Sequence, residues 1–204
     1  EGDRFMNKLG RIAVALAMAF SVGAASAESV INVPAGATAA DINAAIQSAP
    51  EGAVVHLADG TYNLTAPIVL DRSVTLVGNV EDRTKVVLDG AGKYRLLEVS
   101  DGQTFACGMT FEKGYSGSRS NNNDPAPVHV TAGTVSSCIC HDCDGDCAGG
   151  VTVYSPGGKT AAVKDTLISD CQVSWVSGGI GGGLRLGGSG TSIADGCVIS
   201  NCTF

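Results

Sequence analysis

The chain has 204 residues, 44% of them hydrophobic, which is enough for a sizeable core and too apolar for a disordered polyelectrolyte. Its formal charge of −7 excludes nucleic acid as the main partner, because a phosphate binder needs a basic footprint. Twenty-eight glycines and only 5% aromatic residues suit a turn-rich all-β chain better than a helical bundle.

The first segment reads as an address. Lys8 and Arg11 follow Met6 as a basic region, Ile12 to Ala24 form a short apolar run, and Ala25-Ser26-Ala27 is an A-x-A cleavage site. The pattern predicts a signal peptide over residues 1–27 and a mature protein from Glu28, exported to the cell surface, the outer membrane or the medium. The run is shorter than the roughly 20 apolar residues that cross a bilayer, and no later segment is longer, so no membrane span is expected. Removing Arg4, Lys8 and Arg11 together with Glu1 and Asp3 leaves 10 basic and 18 acidic side chains, a net of −8. All eight cysteines lie beyond residue 100. Outside the cell an even number suggests disulfides, but confinement to one half of the chain suggests a repeat.

A helix comes next. Thr38-Ala39-Ala40-Asp41 has the form of a capping box, Ile42, Ala45, Ile46 and Ala49 give one apolar face, and Pro50 stops the run, predicting a helix over 39–48. From Val54 the pattern turns to short strands broken by glycine and Asp-Gly turns: 54–57, 68–70, 74–77, 86–88, 96–99, 128–130 and 151–154. These runs repeat. Gly78 and Gly108 end similar segments 30 residues apart. Gly108-Met109-Thr110-Phe111 then aligns with units starting at Cys138, Thr166 and Cys197, at steps of 30, 28 and 31 residues. A period of this size with strand chemistry means stacked units. The alignment predicts an apolar file of Met109, Ile139, Leu167 and Val198, a polar file of Asp142, Asp170 and Asn201 at a turn, and a thiol file of Cys143, Cys171 and Cys202. Successive coils stand about 4.8 Å apart, which permits a vertical disulfide. Parallel stacked side chains suit reduced, packed thiols better, with at most a bridge among Cys138, Cys140 and Cys147.

At these residues the sequence resembles the right-handed parallel β-helix proteins of the pectin lyase-like family. The resemblance is carried by Ala44-Ala45-Ile46 before Glu51-Gly52-Ala53-Val54-Val55-His56-Leu57, by Asp59-Gly60-Thr61-Tyr62, Val74-Thr75-Leu76-Val77-Gly78 and Leu88-Asp89-Gly90, and by the later Gly/Cys-x-apolar repeats. It implies an all-β right-handed parallel β-helix over residues 28–204 behind a short capping helix. The last residues, Asn201-Cys202-Thr203-Phe204, fall within a repeat, so further coils are expected beyond them. By analogy with the family, an anchor or an outer-membrane barrel could follow those coils.

Candidate chemistry is sparse. Cys138, Cys140, His141, Cys143 and Cys147 crowd into ten residues and invite zinc. Yet neighbouring strand residues point to opposite faces, and structural zinc sites pair two separated ligand hairpins, so a stacked column is the preferred reading. Asp142, Asp144 and Asp146 are calcium candidates through their oxygens, although the sixth and twelfth positions of an EF-hand would here be Cys147 and Val153. No other cofactor is expected. The resemblance implies a basic proton abstractor and calcium-binding carboxylates if the protein is a lyase. Arg185, between Leu184 and Leu186, is the basic candidate, and Asp142 and Asp170 are an acidic file. Asp165, Asp170 and Asp195 sit where turns use Asp anyway, and His56, His129 and His141 read as strand residues. Residues 114–127 form a polar insertion suited to a binding loop. Since the fold hosts lyases, hydrolases and adhesins alike, two expectations stand. The preferred one is a non-catalytic, monomeric surface or passenger scaffold that binds glycans or surface proteins in the manner of an adhesin. The alternative is a carbohydrate-active enzyme, a polysaccharide lyase or glycoside hydrolase.

Overall fold

A strand three to five residues long buries little by itself, so the short runs of this chain are stable only when stacked. The computed structural model describes residues 29–116, 126–174 and 181–203. The leader over 1–27, most of the 114–127 insertion, and Trp175 with the first glycines after it lie outside the described residues.

The chain enters as β1 (Val30–Val33) and turns into α1 (Ala39–Ser48). Thr38 caps the helix as expected: its hydroxyl accepts from the Asp41 backbone N–H, and the Asp41 carboxylate accepts from the Thr38 N–H at 2.9 Å. The Thr38 hydroxyl, 2.7 Å from Asp41 Oδ2, and then the Thr38 N–H hold the Asp41 carboxyl below the ordinary range. Ala39, Ile42 and Ile46 form the buried face of α1.

Beyond the helix the chain winds in rungs of three strands. The first holds β2 (Ala53–Leu57), β3 (Gly60–Asn63) and β4 (Ile68–Leu70), and the second β5 (Val74–Val77), β6 (Val86–Asp89) and β7 (Leu97–Val99). The third holds β8 (Phe105–Cys107), β9 (Thr110–Glu112) and β10 (Val128–Val130). In the fourth, β11 (Gly133–Ser136) and β12 (Ile139–His141) are followed by the two-residue β13 (Asp144–Gly145) and then β14 (Val151–Ser155). The next repeats this with β15 (Thr160–Lys164), β16 (Leu167–Ser169), β17 (Gln172–Val173) and β18 (Leu184–Gly188), and β19 (Thr191–Asp195) and β20 (Val198–Ser200) follow. Like strands stack in parallel into three faces: a seven-stranded sheet β1-β2-β5-β8-β11-β15-β19, a six-stranded sheet β3-β6-β9-β12-β16-β20 and a five-stranded sheet β4-β7-β10-β14-β18. Among the described residues the result is an all-β parallel solenoid with one short helix.

The core is the inside of this coil. Tyr62, Leu88, Phe111, Cys140 and Ile168 form one buried file along the six-stranded sheet. Ile68, Leu97, Val128 and Val151 form another along the five-stranded sheet.

Two columns of left-handed residues turn the corners. Gly108, Ser137, Asp165 and Gly196, with φ of 74°, 52°, 47° and 62°, lead from the seven- to the six-stranded sheet. Lys113, Asp142, Asp170 and Asn201, with φ of 49°, 52°, 53° and 51°, lead off the six-stranded sheet. The polar file read from the sequence is therefore a corner column, and Lys113 belongs to it. Asp and Asn tolerate this conformation better than most side chains. Arg83 clips the first corner from outside, donating to the carbonyls of Cys138 at 2.9 Å and Asp165 at 3.0 Å.

The apolar file needs a correction of one residue. Ile139 pairs with Thr110, not Met109, and Ile139, Leu167 and Val198 face outward, Val198 being 60% exposed. Met109 is buried beside Cys138 on the inner side. A one-residue shift in a strand exchanges its two faces, and the sequence pattern placed Gly108 level with Cys138 when it stands level with Ser137.

Candidate functional site

Strand alternation decides what the outside of each sheet presents. Along the six-stranded sheet the outward row is Asn63, Asp89, Glu112, His141, Ser169 and Ser200, one residue from each rung. Beside it runs the row now corrected to outward, Val87, Thr110, Ile139, Leu167 and Val198. The wall thus carries a polar stripe next to a mostly apolar one, both in step with the rungs.

The polar stripe is a connected charge network. Lys113 Nζ lies 3.2 Å from Asp89 Oδ2 and 2.8 Å from Glu112 Oε1, bridging carboxylates on neighbouring rungs. Hydrogen bonds to Glu112 and Asp89 raise the Lys113 ammonium above its usual range. His141 Nε2 stands 3.5 Å from Glu112 Oε2, and its Nδ1 stands 2.8 Å from the Asp142 carboxylate. Asp89 also accepts from the Ala91 N–H at 2.7 Å, which fixes the loop after β6. Asp89 and Glu112 side chains are only 15% and 19% exposed, so they are held in place while still reaching solvent.

The five-stranded sheet presents a second polar row, Glu98, His129, Thr152 and Arg185, in register across β7, β10, β14 and β18. Arg185 projects outward as expected and stacks over Tyr154, its guanidinium carbon 5.1 Å from the ring centroid. Arg95 pairs with Glu98 at 3.2 Å. Burial pushes His129 down to about 4, with Arg95 and Arg185 acting in the same direction against Glu98.

The aspartates singled out in the sequence are dispersed. Asp142 lies at the corner against His141, Asp170 accepts from Asn201 at 3.2 Å one rung on, and Asp144 on β13 accepts from Gln172 and Ser174. Asp146 is buried. Among the described residues Asp142, Asp144 and Asp146 do not gather into one donor set; the group close enough to share an ion is Cys140, Cys143 and Cys171. Arg185 stands on the five-stranded face, whereas Asp142 and Asp170 lie at the corner off the six-stranded sheet, so the three are not brought into one group. The thiol file stacks as read, since Asp144 pairs with Gln172 and Gln172 with Thr203, which places Cys143, Cys171 and Cys202 level. None of the eight cysteines forms a disulfide.

Sequence reading missed Asp89, Glu112 and Lys113 as a group. The signal was present, because Asp89 and Glu112 each end a strand before a corner and Lys113 is a corner residue itself, but an acid or a lysine at such a place is unremarkable until its register is known.

A three-faced parallel coil bearing a charged outer stripe defines a parallel β-helix. Residues 34–124 match the family model described as Rhamnogalacturonase A/epimerase, pectate lyase-like. Match and architecture are consistent: the chain is a parallel β-solenoid, and its residues 34–124 are similar to that pectate lyase-like family. No curated protein and no solved structure matches it. Among the described residues no helix is long and apolar enough to cross a membrane.

Proposed function

We propose that this is an exported β-helix whose six-stranded outer wall engages a glycan. The observation that carries the reading is the pairing of the two stripes: Asp89, Glu112, His141 and Ser169 beside Val87, Ile139 and Leu167. Sugar rings present hydroxyls at their rims and C–H groups on their faces, so a linear glycan lying along the coil would meet carboxylate acceptors on one side and apolar contact on the other. The repeat of the wall, about 4.8 Å per rung, is close to the length of one sugar unit. Lys113 offsets the two carboxylates and supplies a cation for an acidic sugar. The basic region, short apolar run and A-x-A site before Glu28 support export.

A second reading, glycoside hydrolysis at the same wall, is favoured by Asp89 and Glu112 standing on adjacent rungs. Their strand spacing is near the roughly 5–5.5 Å between carboxyls that a retaining mechanism requires. In that chemistry one carboxyl protonates the leaving oxygen while the other attacks the anomeric carbon.

Affinity electrophoresis against neutral and acidic polysaccharides tests the proposal, with reducing-end release measured in parallel. We expect retardation that Glu112→Gln and Leu167→Asp each weaken several-fold, without turnover on pectic substrates with or without calcium. Unchanged retardation in both variants would sink the wall as the binding surface. Turnover lost in Glu112→Gln would promote the hydrolytic reading, and turnover lost in Arg185→Ala would move the site to the five-stranded face.

A further inference from the structure

The interior of a solenoid is dry, and three thiols that meet there call for a chemical account. Cys140 and Cys143 form a Cys-x-x-Cys pair, which on a straight strand would point to opposite faces. They do not, because Asp142 between them takes the left-handed corner conformation, φ 52°, and turns both side chains inward. Cys171, level with Cys143 on the next rung, completes the group. The Sγ atoms of Cys140 and Cys143 are 3.8 Å apart, and all three sulfurs lie within 4.8 Å of one another.

We propose that Cys140, Cys143 and Cys171 form an internal trigonal site for a monovalent copper ion.

The spacing suits one shared ion. Two sulfurs each about 2.3 Å from a metal stand about 3.8–4.0 Å apart, whereas a disulfide needs about 2.05 Å. The donor set selects the ion, since sulfur alone excludes hard, oxygen-seeking cations and favours copper(I) or zinc. Zinc in a structural site takes four ligands, and the cluster supplies three. The file neighbours of Cys140 are apolar, Phe111 on one rung and Ile168 on the next, and both are buried. Room is kept by Gly150, where an added Cβ would come within 3.1 Å of Cys171 Sγ and 2.8 Å of Ile168 Cγ2.

Hydrogen bonds already converge on one member. Cys143 Sγ accepts from the Cys140 thiol at 3.8 Å and from the Gly114 N–H at 3.3 Å. The Cys171 thiol donates to the Ser169 carbonyl at 3.2 Å. A copper ion would take the place of the thiol protons, which leave to solvent, so retention should tighten as pH rises.

The test uses the full chain, reduced under anaerobic conditions and titrated with copper(I) against a chromophoric copper(I) chelator. We expect one ion retained per chain, with a sulfur-to-copper charge-transfer band and a higher thermal midpoint, a readout that needs no variant. Cys143→Ser and Cys171→Ser should each weaken retention at least about tenfold, the equivalent of about 1.4 kcal/mol. Cys107→Ser and Cys202→Ser, outside the triad, should keep it. Failure to compete with the chelator, retention that survives Cys171→Ser, zinc held as tightly as copper(I), or a Cys140–Cys143 disulfide that re-forms in preference to metal would each overturn the proposal.

Discussion

His129 is a residue whose surroundings change its chemistry within an accessible pH range. It stands in the outward row of the five-stranded face between Glu98 and Thr152, largely shielded from solvent, and burial brings it down from 6.5 to about 4. The folded chain therefore holds a neutral imidazole at pH 5–6, where the unfolded chain already takes a proton. The unfolded state binds more protons across that window, so stability is full above pH 6.5 and is lost as pH falls toward 4. A proton NMR titration of the His129 ring should give a midpoint near 4, and His129→Leu should flatten the acid limb of the stability profile. A midpoint near 6.5 would show that the ring is hydrated and the shielding argument wrong. Arg185 has a related part here, since its cation over Tyr154 adds to the pressure on His129 without touching a carboxylate of the other face.

At the scale of elements, the corners carry more of the specification than the strands do. Asp170 holds φ 53° and accepts from Asn201 at 3.2 Å on the next rung, so its side chain both tolerates the turn and ties two rungs together. Asp170→Val should cost about 1–2 kcal/mol from the left-handed backbone alone, read as a lower thermal midpoint. Asp170→Asn, which keeps the tolerance, should stay within about 0.5 kcal/mol of the parent. Equal losses in the two variants would show that the carboxylate charge matters and the backbone does not. The same corners explain what could be read in advance. Helix α1 was legible because capping chemistry is local, and Cys143, Cys171 and Cys202 were legible because they directly follow the corner residues Asp142, Asp170 and Asn201. The Met109 file was not. Gly108 and Cys138 look equivalent in sequence, yet the corner passes through Gly108 and Ser137, and only the left-handed conformation of Ser137 reveals the shift. The Asp89–Glu112–His141 stripe stayed hidden for the same reason, as its members align only once the rungs are set in register. Strands β3, β15 and β19 carry Gly, Thr, Ser or Lys at many positions and offer little alternation to detect.

For the whole molecule, stacking makes stability nearly additive along the axis, each rung depending on its neighbours more than on a common centre. Burial is uneven along that axis. Strands β2 and β5 are almost wholly buried, and Leu76, Leu88 and Leu97 of the second rung have no exposure. By contrast, Ile139 and His141 of β12 and Leu167 and Ser169 of β16 are only half-buried. Local opening follows the apolar area that holds a segment down, so backbone amides should not exchange at one common rate. Hydrogen exchange should be slowest in β5 through β9 and faster in β12 and β16. The Asp89–Glu112 end of the charged stripe would then lie in the most protected part of the coil, where a binding surface keeps its shape. The thiol triad lies in the less protected part, so copper(I) at Cys140, Cys143 and Cys171 should slow exchange in β12, β13 and β17 while leaving β5 unaffected. A single rate across all rungs would mean that the coil opens as one cooperative unit and that nearest-neighbour stacking is the wrong description of its stability.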